Sequence, residues 1–353
     1  MAAAKKAPSD PWRELSLAAR PAAPGRPSRL VPVVGSGVLV QAFHDGPAAG
    51  EKTPLDWPGL LLSVAEDAGL TRPRQLLGRR DVPGQGTLLW EAMVLERAGI
   101  APTEGATFRH ELALRRLVAR RLVRDPDARA ARARCQPFLD RFLGLGFEDV
   151  ITTNFDDWLA PGARAAAGPR PSLHVVRGAT RIWHPHGHAS RPQDIVLGAR
   201  AYGVLIGELA AAFDEAVATS RRHGGRAARR APRTVIEVAL ERPLLLAGLS
   251  LSREEWTIWW LLVQRARYLA RKRERPPVFV VARRPAADDP VEAHAQFATL
   301  HRYATLLGLR LLEGSSWSDI WRRLGVALGM PVPRRAAVKR GRAPRGTAPR
   351  SAR

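Results

Sequence analysis

The sequence has almost no cysteine, because Cys135 is the single one among its 353 residues. One cysteine excludes an intramolecular disulfide and any zinc site that is built from several cysteines. It is also typical of proteins that fold in a reducing cytoplasm. The cysteine usage therefore directs attention to other side chains as carriers of chemistry.

Long apolar runs are missing as well. The most apolar window, residues 243–265, is interrupted by Ser252, Arg253 and two glutamates. A membrane-spanning helix needs about 20 predominantly apolar residues. The N-terminal residues MAAAKKAPSDPW are not followed by the apolar segment that a signal peptide requires. We therefore expect a cytoplasmic protein that does not associate with a membrane.

Acidic residues are scarce relative to basic ones, with 33 Asp and Glu against 56 Lys and Arg, a net charge of +23. Residues 331–353 contain seven Arg, one Lys and no acid, and further Arg clusters lie within 115–134 and 221–233. Such a balance favours contact with nucleic acid through phosphate neutralisation. An Arg- and Ala-rich composition throughout the chain explains the same charge, so both interpretations stay open.

The order of the apolar segments predicts an α/β fold. Short buried strands alternate with helical patterns in the C-terminal third, which favours a doubly wound, mainly parallel, Rossmann-like sheet. We predict a flexible N-terminal arm at 1–28 and a main domain at 29–330. Within that domain, residues 52–135 read as a helical insertion. Residues 331–353 are predicted to be a disordered basic tail, because they have little to bury.

A glycine-rich turn follows the first predicted strand, in LVPVVGSG at residues 30–37. Gly35, Ser36 and Gly37 would let backbone N–H groups approach a phosphate. The third glycine of the dinucleotide fingerprint is missing, so a simple tight turn fits the same residues.

A polar strand end occurs in ITTNFDD, residues 151–157. Ligands of open α/β sheets bind outside the carboxyl ends of strands, where Thr152, Thr153, Asn154 and Asp156 would lie. Alternatively, Asn154 caps a following helix with help from an acid in its first turn. Capping leaves the two threonines unexplained.

Three of the nine histidines lie at alternate positions in RIWHPHGHAS, residues 181–190. His184, His186 and His188 would share one face of a strand and could converge on a metal. Pro185 and Gly187 interrupt regular strand geometry, and no Cys or acid completes a ligand shell nearby.

A later predicted strand ends in small residues. Gly248 allows close approach of the backbone to a ligand, and Ser250 offers a hydroxyl. Alternatively, the same residues form an ordinary turn from a strand into a helix.

The order of these motifs resembles the sirtuin family of NAD-consuming domains, and within it the divergent bacterial branch found in anti-phage defence systems. The resemblance covers residues 30–328. It implies that Gly35, Ser36 and Gly37 form a phosphate loop. The resemblance places Asn154 and Asp156 beside the nicotinamide ribose and implies that these two residues and His186 are catalytic. It also implies that Thr152 and Thr153 bind the cofactor, and that Gly248 and Ser250 lie at the adenosine ribose. His184 and His188 are then neighbours of the catalytic histidine.

The cysteine count departs from deacetylating sirtuins, which carry a four-cysteine zinc module. We therefore expect no zinc and no other metal. The resemblance implies an NAD+ hydrolase that takes NAD+ as substrate, releases nicotinamide and acts by NAD depletion in anti-phage defence. Two alternatives stay open: an NAD-dependent protein deacetylase or ADP-ribosyltransferase, and a non-catalytic subunit that binds nucleotides or nucleic acid. The resemblance also suggests a homo-oligomer and a separate sensor or ATPase partner protein.

Overall fold

The computed structural model describes residues 10–21, 23, 26–40, 57–71, 86–99, 104–124, 126–223, 231–251 and 255–330. The helices are α1 (Pro11–Ala19), α2 (Gly37–Val40), α3 (Trp57–Asp67), α4 (Gly86–Ala98), α5 (Glu104–Arg124), α6 (Pro126–Leu143), α7 (Gly198–His223), α8 (Val235–Glu241), α9 (Trp256–Leu269), α10 (Val291–Leu307) and α11 (Trp317–Leu328). The strands are β1 (Val31–Val34), β2 (Asp149–Thr152), β3 (His174–Arg177), β4 (Thr180–Trp183), β5 (Leu244–Ala247), β6 (Val278–Arg283) and β7 (Arg310–Gly314).

The strands form a seven-stranded sheet in the order β3-β4-β2-β1-β5-β6-β7. Among the strands of the described residues, only β3, which is antiparallel to β4, departs from parallel pairing. The central strands VPVV and LLLA are buried at every position, as expected of strands covered on both faces. The predicted doubly wound, mainly parallel α/β fold is confirmed.

Helices cover the sheet on both faces and form two separate apolar layers. One layer contains buried side chains of α1, α6 and α11, and the other contains those of α7, α8, α9 and α10. A third cluster joins α3, α4 and α5 to Phe155, Ala189 and Ile195. The helical insertion therefore packs directly against the segments that follow β2 and β4. None of the described helices is long and apolar enough to cross a membrane.

The flexible arm predicted for residues 1–28 is wrong for residues 11–19, which form α1. Asp10 caps this helix by accepting a hydrogen bond from the Trp12 N–H, and Pro11 occupies its first turn. Leu15 is completely buried in the layer that contains α11. Burial of that side chain holds a short helix that would be marginal in isolation. The predicted tail at 331–353 lies outside the described residues.

The insertion is helical in every described stretch between residues 57 and 143, so the helical region continues past its predicted end at 135 through α6. Another helix boundary differs from the sequence pattern. The Ser252–Glu255 spacing predicts a helix start at Ser252, whereas α9 begins at Trp256 with Glu255 as its N-cap residue. Residues 252–254 lie outside the described part of the chain.

Candidate functional site

Four neighbouring strands end abreast at one edge of the sheet. Val34 of β1 is in register with Thr152 of β2 and with Ala247 of β5, and Ile151 is in register with Trp183 of β4. Strands in a sheet are about 4.8 Å apart, so the four ends span about 14 Å. The glycine turn, the Thr-Thr-Asn segment, the histidine segment and the Gly248 segment therefore all begin at this edge.

The edge contains the topological switch point of the sheet, between β1 and β5. The connection that follows β1 ends in α6, on one face, whereas α9 follows β5 on the other face. Connections that leave two adjacent strands toward opposite faces open a crevice outside their carboxyl ends, which is where open α/β sheets bind ligands. The predicted site residues thus surround the place where such a fold binds a nucleotide.

Three glycines bring the ends of β1 and β5 into direct contact. A Cβ on Gly35 would lie 2.5 Å from the Gly248 carbonyl oxygen, and a Cβ on Gly248 would lie 2.2 Å from the Val38 nitrogen. Gly37 is also restricted, since its Cβ would lie 2.9 Å from the Gly248 Cα. The N–H groups of Gly35 and Gly37 donate to the carbonyls of Ala247 and Gly248. These glycines therefore serve first to lock two loops together, and Ser36 between them is exposed.

The Thr-Thr-Asn segment is held by its own backbone and by β1. The buried Thr152 hydroxyl accepts a hydrogen bond from the Asn154 N–H at 3.1 Å, and the Thr153 N–H donates to the Val34 carbonyl. No helix follows Asn154, because residues 153–162 form turns and loop. The alternative interpretation of Asn154 as a helix cap is therefore wrong, and its half-buried side chain is left for another role.

The two aspartates of this segment lie in different environments. Asp157 pairs with Arg132 at 3.3 Å and accepts a hydrogen bond from the Gly162 N–H, so it anchors the loop. Asp156 has no ion-pair partner of this kind among the described residues, and it accepts a hydrogen bond from the Trp158 N–H. Burial, together with the nearby Asp157 charge, raises the pKa of Asp156 to about 6. Asp156 is thus a carboxyl group that titrates close to neutral pH.

The three histidines are all buried, and each binds a different partner. The Nδ1 of His184 donates to the Asn154 carbonyl at 3.1 Å, which ties this segment to the end of β2. The Nε2 of His186 lies 2.7 Å from the Thr257 hydroxyl. His188 receives a hydrogen bond from the Ser190 N–H on Nδ1, and its ring packs edge-on against His184 with centroids 4.7 Å apart.

The arrangement of these rings does not match the metal alternative. Among the described residues, no group of three or more His, Cys, Asp or Glu side chains is placed to hold a metal ion. A regular strand would have put the three rings on one face, but the backbone turns at Gly187, where φ is +100°. A Cβ at Gly187 would lie 2.4 Å from the Asp194 carbonyl oxygen, so glycine is required there.

Burial keeps the histidines neutral. It lowers the pKa of His186 to about 4, and together with the nearby His188 it lowers the pKa of His184 to about 3. Burial also lowers the pKa of His188, against the opposing effect of Asp157. At neutral pH all three rings are therefore uncharged and able to accept or donate a hydrogen bond, but none is a strong base.

Beyond β5, the predicted ribose-binding segment has a sharply bent backbone. Both Gly248 and Leu251 have positive φ values, +67° and +48°. The exposed Ser250 hydroxyl lies 3.4 Å from a Glu255 carboxylate oxygen, and the Ser250 carbonyl accepts a hydrogen bond from Gln296 of α10. Glu255 therefore joins Ser250 as a polar group at this corner of the site.

Two residues near His186 escape the sequence analysis. Thr257 in α9 binds its ring, and Tyr202 of α7 packs edge-on against it with centroids 5.8 Å apart. Neither lies in a recognisable motif, and Thr257 is 71 residues away from His186 in the chain. Only the folding of α9 onto β5 brings them together, so no local sequence signal could have identified them.

Comparison with known protein families finds a SIR2-like domain at residues 148–303. The matched region begins just before β2 and ends within α10, so it contains the Thr-Thr-Asn, histidine and Gly248 segments but not Gly35–Gly37. A comparison with curated proteins found no match. Residues 148–303 therefore resemble a SIR2-like domain, which supports the sirtuin-like resemblance over that part of the chain and suggests an NAD-related function.

Proposed function

We propose that the chain is an NAD+ glycohydrolase that cleaves the bond between nicotinamide and ribose. The observation that carries this proposal is the register of β4, β2, β1 and β5, which gathers the motif residues at one switch-point crevice. A span of about 14 Å suits an extended dinucleotide better than a single small metabolite. The SIR2-like match supplies the NAD-related class independently of this geometry.

The reaction adds water across the N-glycosidic bond. NAD+ and water give ADP-ribose, neutral nicotinamide and one proton, so the leaving group needs no acid. Positive charge develops on the ribose in an oxocarbenium-like transition state, as in other glycoside hydrolysis. In this proposal the Asn154 amide holds the ribose and the attacking water. The Asp156 carboxylate, ionised above its pKa of about 6, orients one of them and favours the developing positive charge.

His186 has the role of a neutral hydrogen-bond acceptor. With a pKa near 4, the ring retains a proton poorly at neutral pH, so it accepts a hydrogen bond from a ribose hydroxyl or from water as the reaction proceeds. The helical insertion packs around Phe155 and Ala189, beside this segment. Exclusion of bulk water and orientation of the substrate then provide much of the remaining acceleration.

The biological setting follows from the resemblance alone. Depletion of NAD would make the chain an effector of bacterial anti-phage defence, acting in the cytoplasm as a homo-oligomer with a separate sensor or ATPase protein. Protein deacetylation is less favoured, because one cysteine cannot build the zinc module of deacetylating sirtuins. No observation in the structure specifically favours ADP-ribosyl transfer.

The test is to incubate the purified full-length chain with NAD+ and to measure free nicotinamide and ADP-ribose by chromatography. The assay is run with the chain alone and with proteins encoded beside its gene. We expect nicotinamide and ADP-ribose, or partly cyclic ADP-ribose, in at least one condition. NAD+ binding without nicotinamide release in any condition would instead establish the non-catalytic alternative.

A further inference from the structure

Thr257 makes a buried contact with the histidine that the proposed function places in catalysis. Its hydroxyl lies 2.7 Å from the His186 Nε2, and both side chains are about 3% exposed. Burying an imidazole nitrogen without a partner is costly, so this hydroxyl satisfies a group that would otherwise destabilise the fold. The contact is therefore a structural requirement of the present ring position.

The ring of His186 is fixed from more than one side. Tyr202 packs against it edge-on at an interplanar angle of 87°, and the His186 carbonyl accepts a hydrogen bond from the Val196 N–H. Among the described residues, the other ring nitrogen, Nδ1, makes no hydrogen bond. Thr257 thus engages one nitrogen and leaves Nδ1 as the atom available to a substrate hydroxyl or to water.

A threonine hydroxyl is suited to this task because it both donates and accepts hydrogen bonds. It can accept a hydrogen bond from Nε2–H and thereby select the tautomer whose unprotonated Nδ1 accepts a hydrogen bond from the substrate, without adding the negative charge that a carboxylate partner would bring. The ring consequently stays neutral while its orientation is held. This differs from a Ser-His-Asp arrangement, where the acid orients the histidine and also stabilises its charged form.

Thr257 also connects the two halves of the crevice. It lies in the first turn of α9, directly after the segment that contains Gly248 and Ser250, whereas His186 follows β4 on the other side of β1. A shift of α9 would therefore change the position of the His186 ring. No other described side chain hydrogen-bonds to this ring.

We propose that Thr257 is a positioning residue that orients His186 for NAD+ cleavage, an inference that rests on the proposed function. Thr257 acts through the histidine and does not touch the reacting atoms. Removing its hydroxyl leaves the histidine in place but frees the ring to rotate. The expected consequence is a loss in kcat with little change in KM, because ring orientation matters most in the transition state.

The test compares Thr257→Val, which removes the hydroxyl at similar size, with Thr257→Ser, which keeps it. We expect Thr257→Val to lower kcat about 10- to 100-fold, with KM changed less than about 3-fold, and Thr257→Ser to retain most of the activity. The control Thr305→Val removes an exposed hydroxyl that binds the His301 carbonyl within α10, and should leave kcat unchanged.

A double-mutant comparison separates positioning from general damage. In a His186→Ala background, Thr257→Val should cause no further loss of activity, because the ring through which it acts is gone. Full additivity of the two losses, or equal loss in Thr257→Val and Thr257→Ser, would overturn the proposal.

A readout that does not need activity distinguishes failure of this inference from failure of the proposed function. ¹⁵N chemical shifts of the His186 ring report its tautomer. In the wild type they should show one dominant tautomer, which becomes mixed in Thr257→Val and is restored in Thr257→Ser. If the ring shifts behave so but no nicotinamide is released, the contact is real and the proposed function fails. Unchanged ring shifts in Thr257→Val would refute the positioning role even in an active enzyme.

Discussion

At the scale of single residues, the three histidines have different hydrogen-bond partners, although their even spacing in the sequence suggests one shared role. His184 is bound to the Asn154 carbonyl, His186 to Thr257 and His188 to Ser190. The expectation that His184 and His188 are mere neighbours of a catalytic residue understates their structural part. Both side chains are buried, and loss of the His184 ring removes the hydrogen bond to the Asn154 carbonyl.

We therefore predict a split between activity and stability. His186→Ala should lower the rate of NAD+ cleavage about 10²–10⁴-fold while the protein stays folded. His184→Ala and His188→Ala should destabilise the fold by about 1–3 kcal/mol and reduce the rate per folded molecule far less. Nicotinamide release measures the rate, and chemical denaturation of the same preparations measures the stability.

Asn154→Ala serves as the companion variant. It should resemble His186→Ala in activity, without the loss of about 1 kcal/mol that removing a helix cap would cause. The metal alternative predicts another pattern: equal loss of activity in all three histidine variants, with stoichiometric metal in the purified protein and inhibition by a chelator.

At the scale of secondary structure elements, much of the sheet could be predicted because its strands are short apolar runs between turn signals. Some helix starts are also marked in the sequence by a capping residue, as at α11, where the Ser316 hydroxyl accepts a hydrogen bond from the Asp319 N–H. The start of α1 also has such a signal, because Asp10 stands before Pro11. The many Pro and Ala residues around this signal instead favour a flexible arm, so the sequence does not predict α1.

The parts that could not be predicted depend on contacts between distant segments. The chain after β2 has the composition of a helix start, yet it forms a turn because Asp157 is bound to Arg132 and the Gly162 N–H. Local sequence patterns also predict neither the order of the strands in the sheet nor the contact between Thr257 and His186. The sequence motifs therefore predict which segments form the candidate site. The hydrogen bonds between those segments can be identified only from the folded structure.

The contact between the ends of β1 and β5 leads to a prediction about Gly248. Gly248→Ala combines an unfavourable φ of +67° with a Cβ only 2.2 Å from the Val38 nitrogen. We expect a loss of about 2–5 kcal/mol in the free energy of unfolding, as strain and steric overlap add. Urea denaturation measures this loss.

Gly308 provides a matched control. Its φ is also +67°, but a Cβ there would meet nothing within 4 Å, so Gly308→Ala should cost only about 1–2 kcal/mol. Equal costs for the two alanine variants would mean that the loops can separate freely, and that the close approach at the switch point contributes little to stability.

At the scale of the whole molecule, one group of exposed positive charges lies where α7 and α9 end. The exposed residues Arg271, Lys272 and Arg273 follow α9, and the Lys272 ammonium lies 4.9 Å from the Tyr268 ring centroid. The Tyr268 hydroxyl donates to Ser220, near the basic end of α7. The ends of α7 and α9 that bear these charges therefore lie side by side.

The basic segment 331–353 gives the last prediction, because its eight positive charges and lack of acids separate binding from folding. Deleting these residues should change the melting temperature by no more than about 2 °C, since they contain almost no apolar surface to bury. If the tail neutralises phosphates, deletion should also weaken binding to a DNA duplex and reduce the dependence of affinity on salt. Calorimetry and fluorescence anisotropy between about 50 and 200 mM salt measure the two effects.

A full-length variant with the tail arginines and lysine changed to glutamine should bind DNA like the deletion and melt like the wild type. A large fall in melting temperature on deletion would mean that the segment packs on the domain, and an unchanged salt dependence would show that it does not contact phosphates.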